Sequence, residues 1–183
     1  MTQRPTDGPL TWNVAGLLTD AIGTDRQYPV VAATIEAPEG LVLTSPLDGA
    51  VRFARTNRGI IVDGHLTTML AAECSRCLKA IVVPLELDIE EEFLPSLDLA
   101  TGQPLPADDE PDAWRLTDHH EIDLGPVVGE AIILAEPIAP LCRPDCLGLC
   151  VTCGLPLETG EHDHPDDDID PRLEALRGFH VDA

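Results

Sequence analysis

The chain has 183 residues, 44% of them hydrophobic and 3% aromatic, with 11 Lys and Arg against 33 Asp and Glu for a formal charge of -22. That length suits one domain with a real core plus flexible segments and leaves little room for a second full domain. So negative a balance repels phosphate backbones and anionic headgroups at long range, which argues against a non-specific coat for nucleic acid; neither DNA nor a membrane is expected as a partner.

Residues 1–29 are polar and punctuated by Pro and Gly. They read as a flexible leader with one early turn of helix around residues 12–18. Asn13, Gly16 and Thr19 break the apolar runs there, unlike the continuous hydrophobic region of a secretory signal. The longest apolar stretches elsewhere, such as "AIILA" at 131–135, fall far short of spanning length. A cytoplasmic location is therefore expected. In a reducing cytosol, closely spaced cysteines are more often metal ligands or redox groups than disulfides.

Residues 30–183 read as a single domain. From "LDGAVRFART" through the turn signal "TNRG" to "IIVDGHLTTMLAAE", Val, Ile and Thr dominate, which predicts a hairpin. The second strand runs into "CSRC", after which "AIVVPLELDIEEEF" resumes period-two alternation: Leu85, Leu87 and Ile89 on one face, Glu86, Asp88 and Glu90 on the other. Cys74 and Cys77 thus fall at a turn between strands, and an antiparallel meander of three or four strands is expected.

Residues 95–118 combine prolines and acidic residues with little periodicity, which predicts a mobile acidic loop with Trp114 as its anchor. In "EIDLGPVVGEAIILAEPIAP", Asp123 is a fitting N-cap and Pro126 falls in the first turn. The apolar positions Leu124, Val127, Val128, Ala131, Ile132 and Ala135 predict one amphipathic helix, stopped by Pro137 and Pro140. A short C-terminal helix is predicted at "DPRLEALRGF", capped by Asp170 with Pro171 in the first position. The fold class is α+β: a meander, one amphipathic helix, a cysteine-rich segment resembling a zinc knuckle at 141–164, and that final helix.

Four of the six cysteines follow the central helix with spacing C-x3-C-x3-C-x2-C: Cys142, Cys146, Cys150 and Cys153. A C-x2-C pair can turn both sulfurs toward one tetrahedral ion, and Gly154 just after it lets backbone amides approach the thiolates. Zinc in a structural role is the preferred reading over disulfides or free thiols. The second C-x2-C, Cys74 and Cys77, and the imidazoles of His162 and His164 are alternative partners. Either Cys142, Cys146, Cys150 and Cys153 close one site, or Cys150 and Cys153 join Cys74 and Cys77 across the fold.

Glycine-rich phosphate loops, H-E-x-x-H and G-x-S-x-G are all missing from the sequence, and its carboxylates are unfocused, so no enzymatic activity is expected. A thiol-disulfide oxidoreductase using Cys74 and Cys77 is the rival reading. It wants an active cysteine at a helix N-terminus, whereas "CSRCLKAIVV" leads into a strand. A zinc-stabilised protein-interaction module is a third.

Taken in order, "CSRCL" at 74–78, "EEEF" at 90–93, "EIDLGPVVGEAIILAEPIAPLC" at 121–142, "CLGLCVTCG" at 146–154 and "DPRLEAL" at 170–176 resemble the bacterial YceD family. Its members are described as large ribosomal RNA subunit accumulation proteins and form domain-of-unknown-function family 177. The resemblance runs from about residue 47 to 178. It implies a cytoplasmic ribosome-biogenesis role in accumulation or processing of large-subunit ribosomal RNA, with no established enzymatic activity. Relatives often continue the last cysteine pair with asparagine and further cysteines where this chain has "CGLPLETGEHDH". His162 and His164 either replace those ligands or are not needed.

Arg52, Arg55, Arg58, Arg76 and Lys79 place five of the 11 basic residues within 28 positions. They form a candidate contact face for large-subunit ribosomal RNA or a ribosomal protein; the competing reading makes them strand-surface cations paired with nearby carboxylates. Few aromatics are available to stack bases. The acidic body suits a basic ribosomal protein equally well.

Overall fold

The computed structural model describes residues 10–106, 110–159, 162, 164, 172 and 173. Seven strands and two helices follow in chain order: β1 (Thr11–Asn13), α1 (Ala15–Thr19), β2 (Asp25–Ala33), β3 (Leu47–Arg55), β4 (Ile60–Glu73), β5 (Ala80–Leu94), β6 (Trp114–Arg115), β7 (Glu121–Asp123) and α2 (Gly125–Ala135). Strands β3 to β5 form the expected antiparallel meander; β2, which begins within the expected leader, adds an antiparallel strand beside β3, and β6 adds to the other edge in parallel with β5. The "TNRG" turn joins β3 to β4, and "CSRC" joins β4 to β5.

Alternation decides which face of the sheet is dry. Leu47, Val51 and Phe53 of β3, Ile60, Val62, Leu66 and Leu70 of β4, and Leu85, Leu87, Ile89 and Phe93 of β5 are all buried. The register lays Phe53 beside Val62 and Leu66 beside Leu87, so these side chains share one face. The opposite face carries Arg52, Asp63, His65, Glu86, Asp88 and Glu90 and meets water. An antiparallel sheet packed on one side only has this pattern.

The cover for the dry face comes partly from the segment expected to be a loose leader. Within residues 10–29, β1 pairs with β7 in antiparallel register, Thr11 beside Asp123 and Asn13 beside Glu121. Leu10, Trp12, Val14, Leu17, Leu18 and Tyr28 enter the core. The rings of Trp12 and Tyr28 both meet Phe53, at centroid separations of 5.4 and 5.1 Å. Polar composition hid this because the apolar residues are few and spaced, and the strand that pairs with β1 lies more than 100 residues away. Residues 1–9 lie outside the described part.

Helix α2 packs against β5 through Val127, Val128 and Ile132. Its N-cap is Leu124, one residue later than expected. The Asp123 carboxylate still accepts the Gly125 N–H, at 2.9 Å. A second helix, α1, begins after β1, so the early helical turn predicted at 12–18 is divided between a strand and a helix. Trp114 does anchor the segment after β5: it lies in β6 and stacks on Phe93 at 6.1 Å. The predicted C-terminal helix falls outside the described residues apart from Arg172 and Leu173. No helix among the described residues is long and apolar enough to cross a membrane.

Candidate metal centres

Two turns carry the chemistry, and they are built alike. At the β4–β5 turn the Cys74 N–H donates to the Lys79 carbonyl at 2.9 Å, and the Leu78 N–H donates back to the Cys74 carbonyl at 2.9 Å. At the second C-x2-C the Cys150 N–H donates to the Leu155 carbonyl at 2.8 Å, and the Gly154 N–H to the Cys150 carbonyl at 2.8 Å. In each, the residue after the second cysteine takes a left-handed conformation, φ 57° for Leu78 and 72° for Gly154. That bend brings backbone amides onto the first sulfur.

The amides act electrostatically on the thiols. The Cys74 thiol is lowered to about 6, chiefly by the backbone N–H of Cys142 and then by that of Cys77. The Cys150 thiol is likewise lowered to about 6, by the N–H groups of Cys153 and Thr152. Cys142 goes the other way, to about 12, because the neighbouring Cys146 side chain disfavours its thiolate and burial adds to the effect. Burial also raises Cys146. Without a cation, such closely spaced sulfurs cannot all ionise.

Each turn is faced by a second ligand pair. Cys142 and Cys146, following α2, approach the first turn: Cys74 Sγ lies 3.8 Å from Cys146 Sγ, and Cys77 Sγ lies 3.7 Å from Cys142 Sγ. His162 and His164 face the second, with Cys153 Sγ at 3.5 Å from His162 Nδ1. Within each quartet all ligand atoms lie within 4.8 Å of one another. The four clustered cysteines are therefore not brought together as one tetrad, and Cys150 and Cys153 do not join Cys74 and Cys77. Sequence proximity misled on this point, because each C-x2-C turn presents only two sulfurs and takes its complement from whichever pair the fold lays opposite it.

These three separations match the edges of a tetrahedral site. With Zn–S near 2.3 Å and Zn–N near 2.0–2.1 Å, a regular tetrahedron has S···S edges of about 3.8 Å and S···N edges of about 3.5–3.6 Å. A disulfide needs sulfurs about 2.05 Å apart, and all six cysteines are free thiols. Four protein ligands leave no open coordination position, so an ion held at either quartet would brace the chain rather than activate a substrate. Of the pair that the redox reading would use, Cys74 is fully buried and Cys77 is half-buried.

Further contacts clamp the first quartet. The Pro140 carbonyl accepts from the Ser75 N–H at 2.8 Å, and the Arg76 guanidinium donates to the Cys146 carbonyl at 2.8 Å. Gly148 lies so close to the Arg76 carbonyl that an added Cβ would stand 3.1 Å from it. Arg143 reaches Asp145 and Glu158. Neither Arg143 nor Gly148 stood out in the sequence, although Arg143 is the lone cation among residues 141–159 and so carried a signal of its role.

The candidate basic face is largely engaged within the fold. Arg52 pairs with Asp63 at 3.0 Å. Arg58 pairs with Glu110 at 2.6 Å and Glu92 at 3.7 Å. Arg55 donates to the carbonyls of Leu18 and Gly59. Lys79 is exposed at the first cysteine turn, with no ion pair among the described residues.

Fold and site together define an α+β protein with a one-sided sheet and two knuckle-type quartets of potential metal ligands, one at the β4–β5 turn and one in the segment after α2. The chain belongs to the YceD family: the profile described as "Large ribosomal RNA subunit accumulation protein YceD" matches residues 62–180, from β4 through both quartets. Uncharacterized proteins of Mycobacterium bovis and Mycobacterium tuberculosis are each 35% identical to it over 130 residues, which is 71% of this chain and 60% of theirs. An uncharacterized protein of Mycobacterium leprae is 32% identical over 69% of this chain. The aligned region thus spans about 60% of the length of the first of these relatives. No solved structure matches the chain.

Proposed function

We propose that this protein is a cytoplasmic, non-enzymatic ribosome-biogenesis factor that supports accumulation or processing of large-subunit ribosomal RNA. The observation that carries the reading is the family match over residues 62–180. In this reading zinc at Cys74, Cys77, Cys142 and Cys146 is structural. It fastens the segment after α2 to the β4–β5 turn and so holds the family's cysteine blocks as one surface. The partner is a basic ribosomal protein or large-subunit ribosomal RNA. The formal charge of -22 and the engagement of Arg52, Arg55 and Arg58 within the fold favour the basic protein.

The test is depletion in cells with measurement of large-subunit against small-subunit ribosomal RNA, combined with crosslinking of the tagged protein. The ratio is expected to fall, and the crosslinks to fall on ribosomal proteins. A normal ratio in depleted cells rejects the function. Crosslinks on RNA alone reject the protein partner.

A further inference from the structure

The C-terminal quartet calls for its own ion. Cys150 and Cys153 lie on a short hairpin in which Leu149 pairs with Pro156. The hairpin is held to the preceding segment by the Leu157 N–H, which donates to the Gly148 carbonyl at 3.0 Å. All four ligands come from residues 150–164, so this site closes a local loop. The Cys74, Cys77, Cys142 and Cys146 quartet instead joins parts of the chain 72 residues apart.

Three observations point to a ligand there. The 3.5 Å separation between Cys153 Sγ and His162 Nδ1 equals the S···N edge expected of a zinc tetrahedron. His162 Nε2 lies 3.2 Å from the Pro156 carbonyl and donates to it when protonated, which leaves the Nδ1 lone pair directed at the sulfurs. This is how a metal-bound imidazole is ordinarily oriented by its second nitrogen. His164 Nε2 is buried with no hydrogen-bond partner among the described residues, an arrangement that is costly for a polar nitrogen. Two thiolates with two imidazoles form a borderline-soft donor set that suits zinc better than calcium or magnesium.

We propose that Cys150, Cys153, His162 and His164 bind a second zinc-class ion, independently of the four-cysteine quartet, so that the loaded chain carries two ions. Zinc is the probe. The purified full chain is expected to hold two equivalents by native mass spectrometry and elemental analysis. C153S and H164Q should each hold one, and C77S should also hold one. Cobalt substitution then identifies the survivor: thiolate-only absorption in C153S and H164Q, mixed sulfur and nitrogen absorption in C77S. Cys153 is exposed and His164 lies outside the sheet. Circular dichroism should therefore show the strands intact in the two C-terminal variants.

One equivalent in the parent overturns the proposal, as does retention of both ions in C153S and H164Q. If C142S and C153S abolish the same single ion, the four clustered cysteines share one site after all. The parent stoichiometry decides the matter even where a variant fails to fold, and none of these outcomes depends on a role in ribosomal RNA accumulation.

Discussion

Trp12→Ala tests whether residues 10–29 belong to the domain. Trp12 is 3% exposed and packs edge-on to Phe53 with Tyr28 beside it. Its neighbours on β3 and β2 are fixed by the meander, so little collapse into the vacated space is expected. Truncation of a buried aromatic at such a site costs about 3–5 kcal/mol, against a typical total stability of about 5–15 kcal/mol. For a chain of this size that corresponds to a drop in Tm of roughly 6–20 °C. Urea titration followed by far-ultraviolet circular dichroism measures it, with Ile138→Ala as the control because Ile138 is fully exposed. The control should change stability by less than about 0.5 kcal/mol. A loss below about 1 kcal/mol in Trp12→Ala would show that the segment does not cover the sheet.

Leu78 holds φ 57° while 62% exposed, so Leu78→Gly should raise stability by about 0.5–1 kcal/mol through relief of the left-handed strain. Gly154→Ala should lower it by about 1 kcal/mol, since an added Cβ meets nothing within 4 Å and strain alone acts. Opposite signs in thermal melts support the likeness of the two cysteine turns, and a destabilised Leu78→Gly variant refutes it. His65 is raised above its ordinary value by its hydrogen bond to Asp88, at 2.8 Å. Any stability this adds is fully present below the unfolded pKa, about 6.5, and is lost as pH rises through the higher folded value. In an NMR titration Asp88→Asn should lower the His65 pKa, and an unchanged midpoint rejects the pairing.

Alternation along β5 and the β-branched residues of β4 were legible because strand faces are set by period two within one segment. The same local logic put Cys74 and Cys77 at a turn, and Pro137 after the end of α2. The sequence also supplied the candidate ligands, four clustered thiols with a second C-x2-C and two imidazoles as alternative partners. Tertiary structure decided the rest. It paired Thr11 with Asp123, which turned the apolar residues of a polar segment into core. It divided a contiguous run of four cysteines between two quartets. The reason is the same in both cases: a strand edge and a two-sulfur turn each expose half of an interaction. Which distant segment completes it depends on where α2 and the sheet place the chain, and no local period records that.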